Sequence, residues 1–345
     1  MGFKGAKTQN YGYDSEGKKI DLHAVPLAED WALDDDSQAF STDYDGGRLD
    51  GWNNEYACCH TPLHPAYSYV RRTDTKTYWD MAEQYVLADE FFPSNFDGTF
   101  VSHQYAIAAY ANSEVDSPDG VWSCAGGPSD VIGTLDGEEV PVCEDYTTLG
   151  DELDGASLSW RFYTVEAGSG GLYDPYAVVN HIYNGPDYPA DVVNAPSRFV
   201  TDVANRDLAT VSWVTPTFAD SDHPGNGSST GPAWVASLVS AVGQSQYWDS
   251  TAIFIMWADW GGWFDPVSPV PLDDDGSGFR VPLIGISAYA KAGHVSHVQY
   301  ETASVLRFVE DTFGLGQMAA SDTRAADPAS DFFDFSKSPR RFKRF

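Results

Sequence analysis

The chain has 345 residues, of which 42% are hydrophobic and 14% aromatic, enough to bury the core of one large domain. Its 51 acidic residues outnumber 20 lysines and arginines, giving a net charge of −31, which argues against binding to nucleic acid or to anionic membranes. Such an acidic surface is consistent with simple solubility or with adaptation to high salt, where screening relieves carboxylate repulsion.

The first half of the chain is predicted to be irregular around one helix. Residues 1–55 are polar and rich in glycine and aspartate, so we expect extended loops. Apolar positions in 75–92 recur at helical spacing and predict a helix. Residues 113–152 are rich in turn formers and form a predicted excursion. Within it, Cys124 and Cys143 flank a loop-like segment, which favours a disulfide and an oxidising compartment; two unpaired thiols are the alternative.

The second half alternates predicted strands and helices. The strands are expected at 156–165, 209–217, 251–257 and 279–290, and the helices at 198–208, 231–248 and 300–316. This order is typical of a single α/β domain, here 1–345, with a largely parallel sheet. Residues 320–345 form a C-terminal tail whose basic end is predicted to be docked or flexible.

Membrane and export signals are not visible in this sequence. No run of 18 apolar residues predicts a transmembrane segment. The first residues lack the apolar core of a signal peptide, which conflicts with the expected disulfide. We therefore expect that Met1 is not the natural start of the protein.

Clusters of polar residues follow several predicted elements, where ligands of open α/β sheets bind. The candidates are Thr99 and His103, then Asp220, Asp222 and His223, then Asp259, and finally the segment 294–297 with His297. A hydroxyl with imidazoles and carboxylates suits metal-assisted transfer to a Ser/Thr nucleophile. Taken singly, each of these residues could instead be an ordinary turn or cap residue. Gly261 and Gly262 would let the backbone approach a ligand closely.

The motifs "GTFVSHQYAIAA", "FADSDHPGNGSS", "MWADWGGWFD" and "GHVSHVQYE" together resemble the bacterial phosphoesterase family of phospholipases C and acid phosphatases, related to the alkaline phosphatase superfamily. The resemblance implies an alkaline-phosphatase-like α/β/α sandwich and hydrolysis of a small-molecule or lipid phosphate ester. It also implies Thr99 as nucleophile with His103 nearby, and an extracellular or periplasmic location. The implied ligands of a divalent metal ion are Asp222, His223, Asp259 and His297.

The sequence departs from the family pattern at several positions. Ala258 stands where the family has the first of two adjacent acids, and Pro266 stands where a histidine is usual. The opening Glu-Asn-x-Ser/Thr-Phe-Asp motif of the family is missing, and residues 34–36 are aspartates where relatives are often histidine-rich. The alternative hypothesis is therefore a catalytically impaired member that acts as a binding or structural module.

Overall fold

The computed structural model describes residues 2–55, 57, 61–165 and 172–345. The α-helices are α1 (Ser37–Tyr44), α2 (Lys76–Gln84), α3 (Thr99–Ala108), α4 (Leu149–Gly155), α5 (Asn180–Tyr183), α6 (Asp187–Asp191), α7 (Arg198–Asn205), α8 (Gly231–Gly243), α9 (Thr302–Phe313), α10 (Ala320–Arg324) and α11 (Ala329–Phe332). The strands are β1 (Tyr11–Tyr13), β2 (Lys19–Asp21), β3 (His23–Val25), β4 (Ser68–Val70), β5 (Val86–Ala88), β6 (Phe91–Phe92), β7 (Glu114–Asp119), β8 (Val131–Thr134), β9 (Glu139–Pro141), β10 (Trp160–Tyr163), β11 (Val192–Val193), β12 (Val211–Val214), β13 (Ala252–Met256), β14 (Leu283–Ser287), β15 (His294–Ser296) and β16 (Tyr300–Glu301).

Two sheets make up the centre of the molecule. One has the order β11-β10-β12 and is parallel throughout. The other has the order β13-β14-β5-β15, in which β5 and β15 are parallel and β14 is antiparallel to both of its neighbours. The chain returns from β13 to β14 without a crossover helix, which is the connection that antiparallel pairing allows. Strands β13, β5 and β15 consequently run in the same direction.

Helices cover both faces of the second sheet. Successive strand residues point to opposite faces. In β13, Ile253 packs with a cluster that includes Val242 of α8, whereas the Phe254 ring lies 5.0 Å from Phe308 of α9. Helix α2 packs against β5 and β14, and α11 places Phe332 against the backbone of β14. The α/β/α arrangement predicted from the sequence is therefore confirmed, with β14 as the reversed strand.

Three of the predictions differ from the structure. Residues 1–55, expected to be extended loops, contain β1, β2, β3 and α1. The helix expected over 75–92 ends at Gln84, and Val86–Ala88 is a strand buried along its whole length. A short apolar run buried on both faces cannot be told from a buried helical turn by periodicity alone. The histidine segment expected to follow a strand is itself largely the strand β15.

The excursion and the tail are both ordered against the rest of the chain. Residues 113–152 contain the antiparallel sheet β7-β8-β9, and the predicted Cys124–Cys143 disulfide is present beside it. In the tail, the Arg340 carbonyl accepts a 2.6 Å hydrogen bond from the Trp248 indole, and Phe342 packs on the same indole ring. The basic tail is thus docked.

Candidate active site

Thr99 and Asp259 meet at the carboxyl edge of the second sheet. Thr99 is the first residue of α3, and Asp259 follows the end of β13. The Thr99 hydroxyl donates a 2.7 Å hydrogen bond to Asp259 Oδ2, and Asp259 Oδ1 accepts from the Gly261 amide at 3.0 Å. These bonds fix the carboxylate against the hydroxyl. The first-turn amides of a helix have no partner within the helix, so the start of α3 also favours an anion beside Thr99.

His103 lies one helical turn after Thr99, on the same side of α3. Its Nδ1 is hydrogen-bonded to the Leu172 carbonyl, and its ring packs edge-on against Tyr173 at 5.7 Å. Because a carbonyl can only accept, Nδ1 carries the proton and Nε2 keeps a free lone pair when the ring is neutral. Burial lowers the pKa of His103, which favours this neutral form, although the Leu172 carbonyl and the charge of Asp259 oppose the shift.

Two further buried carboxyls lie next to this pair. Burial, and then the negative charges of Asp259 and Asp97, raise the pKa of Asp35 well above its ordinary range. A β-carbon on Gly98 would lie only 3.2 Å from Asp35 Oδ1, so Asp35 reaches the start of α3. Asp97 accepts from the Gly98 amide at 2.7 Å, and burial raises its pKa to about 7. The sequence contains three consecutive aspartates at 34–36. They are so far from Asp259 along the chain that no sequence pattern predicts this contact.

Asp222 and His223 lie on the wall of the same cavity as Thr99, His103 and Asp259. Asp222 accepts a 2.6 Å hydrogen bond from the Tyr78 hydroxyl of α2, and burial raises the pKa of its carboxyl to about 6. His223 Nδ1 is 2.7 Å from the Pro224 carbonyl. Other groups of the protein therefore hold these two side chains. No sequence pattern predicted that Tyr78 would be the partner of Asp222.

His297 lies apart from this cavity. Its Nδ1 is 2.8 Å from Asp89 Oδ1, and about half of its side chain is exposed. Asp89 follows β5 as His297 follows β15, and these strands are parallel, so both residues are at the carboxyl edge. The Asp89 carbonyl also accepts from Arg280, whose guanidinium pairs with Asp265. His297 belongs to this ionic network and not to the group around Thr99.

The two glycines after Asp259 are needed for contacts within the chain itself. Gly261 and Gly262 have φ values of 61° and 77°, in the left-handed region. A β-carbon on Gly262 would lie 2.3 Å from Leu33 Cβ and 2.8 Å from the Asp34 carbonyl oxygen. The close approach expected for a ligand is therefore made to the loop before α1. That contact brings the neighbouring Asp35 beside Asp259.

The predicted metal ligands do not form a complete cation site. Among the described residues, no three Asp, Glu, His or Cys side chains are arranged to hold a metal ion. Asp35 and Asp259 are close together, and burial with the neighbouring negative charges raises the pKa of Asp35. Asp222, His223 and His297 have the protein partners given above. In this arrangement the described side chains do not form a cation site by themselves, and Ala258 adds no ligand beside Asp259.

The fold and the site together define a class of protein: an α/β/α protein with a carboxylate-bound threonine at the start of a helix, at the carboxyl edge of a sheet. Residues 24–316 match the Phosphoesterase family, and the chain belongs to that family. The sequence-based recognition of the family is thereby confirmed.

Curated relatives of this chain carry phospholipase C names. The chain is 26% identical to phospholipase C B of Mycobacterium tuberculosis over 87% of its length, and 25% identical to the hemolytic phospholipase C of Pseudomonas aeruginosa over 95% of its length. It spans only 63% and 50% of those two proteins, respectively.

Solved structures show more distant likenesses. A protein in the alkaline phosphatase superfamily from Vibrio parahaemolyticus is 11% identical, with a TM-score of 0.44 over 88% of this chain and 69% of that one. The phosphonate monoester hydrolase of Silicibacter pomeroyi is 13% identical, with a TM-score of 0.33 over 74% and 71%. Across the described residues, none of the helices combines the length and apolar character that crossing a membrane requires.

Proposed function

We propose that this chain hydrolyses phosphate esters, with Thr99 as the nucleophile. The observation that carries the proposal is the 2.7 Å hydrogen bond from the Thr99 hydroxyl to Asp259 at the start of α3. A threonine hydroxyl is a weak nucleophile and needs an adjacent base, and a carboxylate held by a backbone amide is such a base. Membership of the Phosphoesterase family supports the same reaction class.

In the first step, Thr99 Oγ1 attacks phosphorus and its proton passes to Asp259. The ester P–O bond breaks, and the leaving alkoxide takes a proton from solvent and departs as the alcohol. The amides in the first turn of α3 stabilise the negative charge on the phosphoryl oxygens.

In the second step, a water molecule attacks the phosphothreonine, the P–Oγ1 bond breaks, and Thr99 recovers its proton from Asp259 as the phosphate product is released. Neutral His103 presents a free Nε2 lone pair and is the proposed base for that water. Its lowered pKa keeps this lone pair available near neutral pH.

The proposed substrate is a small-molecule or lipid phosphate ester, because the curated relatives are named phospholipases C. The disulfide supports an extracellular or periplasmic location. Assistance by a divalent metal ion is proposed on family membership alone, and neither step above depends on it.

The test is hydrolysis of a chromogenic phosphomonoester and of a chromogenic phosphodiester, each with and without added divalent metal. Thr99→Ala is expected to abolish turnover, and Thr99→Ser to retain part of it. Thr323→Ala is a matched control, because this exposed threonine of α10 donates only to a carbonyl of its own helix. Equal rates for the wild type and Thr99→Ala would rule out Thr99 as the nucleophile.

The second candidate is a member of the family that binds but does not turn over. It is favoured by the alanine at 258 and by the incomplete cation site among the described residues. Absence of turnover on both substrates, with phosphate binding retained in calorimetry, would support this candidate over the first.

A further inference from the structure

Two buried carboxyls face each other beside α1. Asp43, in the last turn of α1, is 0% exposed, and Glu55 lies in the loop that follows, with both of its Oε atoms buried. The two side chains are within hydrogen-bonding reach of each other. Within the described residues, none of their four carboxyl oxygens accepts a hydrogen bond from a donor of the protein. Buried polar groups are normally hydrogen-bonded, so this pair requires an explanation.

The chain folds back tightly over α1 to bring the two carboxyls together. The Gly51 amide donates a 3.4 Å hydrogen bond to the Asp43 carbonyl. A β-carbon on Gly51 would lie only 1.8 Å from the Thr42 carbonyl oxygen, so only glycine allows this approach. The loop after α1 is thereby held against the helix, and Glu55 returns to Asp43.

The charge of this pair is not balanced by the protein. Arg48, the basic residue of the same loop, pairs with Asp45 and Asp50. Within the part of the chain that the structure describes, no basic side chain bonds to Asp43 or Glu55. Asp43 also lies near the C-terminus of α1, where the helix dipole disfavours an anion. Burying carboxylates without a positive partner is costly, so the pair must be neutralised by a shared proton or by a bound cation.

A cation satisfies more of these oxygens than a proton does. One shared proton serves two of the four oxygens and leaves the other two without a partner. A cation contacts several oxygens at once, and a backbone oxygen is also close to Glu55. A β-carbon on Gly262 would lie 2.7 Å from Glu55 Oε1 and 2.8 Å from the Asp34 carbonyl oxygen. Two carboxylates balance the charge of one divalent ion.

The type of ligand identifies the class of cation. All of the available ligand atoms are carboxylate or carbonyl oxygens, which hard divalent ions prefer. Calcium binds about six to eight oxygens in a flexible geometry and accepts bidentate carboxylates and backbone carbonyls. Magnesium requires a nearly regular octahedron and retains several water molecules, which a buried carboxyl pair does not favour.

We propose that Asp43 and Glu55 bind a structural Ca²⁺ ion, with the Asp34 carbonyl as a further ligand. These side chains do not line the cavity of Thr99, and they are not among the metal ligands that the family resemblance implies. The bound ion joins α1 to the loop after it and to the segment before it. This inference stands independently of the proposed function, because it rests on buried oxygens away from Thr99.

The test is thermal unfolding of the whole chain in about 1 mM Ca²⁺ and in EDTA, with about 0.5 M NaCl to screen the acidic surface. We expect Ca²⁺ to raise the midpoint of the wild type by at least about 5 °C, because a ligand that binds only the folded state stabilises it. Mg²⁺ should give a smaller shift.

The variant Asp43→Asn with Glu55→Gln removes both charges at nearly unchanged shape and should lose the Ca²⁺ shift. Glu138→Gln with Glu139→Gln is the matched control, because it removes two exposed acids and should keep the shift. Asp259→Asn should also keep it, which separates this ion from any metal at the candidate active site. Circular dichroism of each variant shows whether the fold is retained.

Hydrogen–deuterium exchange of the wild type tests the same site without any substitution. Ca²⁺ should slow exchange of the amides in 43–55 at least about tenfold and leave those of β7, β8 and β9 unchanged. The inference is overturned if Ca²⁺ does not shift the wild-type midpoint, if the Asp43/Glu55 variant shifts equally, or if the shift is lost in Asp259→Asn. Slowed exchange only around Thr99 would also overturn it. A wild-type midpoint that depends on pH but not on Ca²⁺ would establish the shared proton instead.

Discussion

Glu114 is a buried acid that anchors the helix carrying Thr99. It is 4% exposed, and its Oε2 accepts a 2.6 Å hydrogen bond from Gln104 of α3. Gln104 Oε1 in turn accepts from the Tyr146 hydroxyl at 2.8 Å. Burial raises the pKa of Glu114 to about 8 from an ordinary value of 4.5, and the Gln104 bond offsets only part of that shift.

The raised pKa makes folding depend on pH. Below pH 4.5 the Glu114 carboxyl is protonated in both the folded and the unfolded chain, so its burial does not lower the free energy of unfolding. Between 4.5 and about 8 the unfolded chain releases this proton while the folded chain keeps it, and the free energy of unfolding falls by about 1.4 kcal/mol per pH unit. Raising the pH from 5 to 7 should thus cost about 2 to 3 kcal/mol of stability through Glu114 alone.

Glu114→Gln removes the titration but keeps an oxygen that can accept from Gln104. Between pH 5 and pH 7, we expect the free energy of unfolding of the variant to rise by about 2 to 3 kcal/mol relative to that of the wild type. Urea unfolding at each pH measures this difference. The contributions of the other buried acids to the pH dependence cancel in this difference, because the wild type and the variant both contain them. Glu139→Gln, on the exposed strand β9, should follow the wild type. If the difference in free energy of unfolding between the wild type and Glu114→Gln stayed constant with pH, the reasoning would be refuted.

Three further changes test the packing and the site. Gly262→Ala should cost at least about 2 kcal/mol more in urea unfolding than Gly314→Ala, because both have positive φ but only the first would place a methyl group against a neighbouring loop; equal costs would contradict the close contact. Ala258→Asp adds a carboxylate next to Asp259 and should strengthen Mn²⁺ binding in calorimetry relative to the wild type; equal affinities in the two proteins would count against it. Replacing Cys124 and Cys143 together by serine should lower stability by about 3 kcal/mol, as expected for opening a loop of this length, and no change in the unfolding midpoint would argue against a stabilising bridge.

The order of elements was largely predictable from local patterns. The helix at 231–248 and the strand at 251–257 appear as α8 and β13 with shifts of only a few residues at their ends. Strong amphipathic or apolar periodicity identifies such segments without knowledge of their neighbours. The pattern failed at Val86–Ala88, where both faces are covered and no polar side remains to reveal the period.

The candidate site was predictable in its members more than in its contacts. Thr99, His103 and Asp259 were selected from their places relative to predicted elements and from the family resemblance, and the structure brings them to one cavity. His297 was selected in the same way but pairs with Asp89 instead. Asp35 was noted only as part of an acidic triplet, yet it lies against Asp259.

The sequence by itself determined the α/β class, the loop closed by Cys124 and Cys143, and the polar residues after the strands, because each depends on spacing within a short segment. Only the tertiary structure decided that β14 is reversed, that Gly262 makes room for the loop carrying Asp35, and that β12 and β13 line the same cavity. Those features depend on which distant segments become neighbours. Strand pairing and packing set that choice, and neither is encoded in any one stretch of the chain.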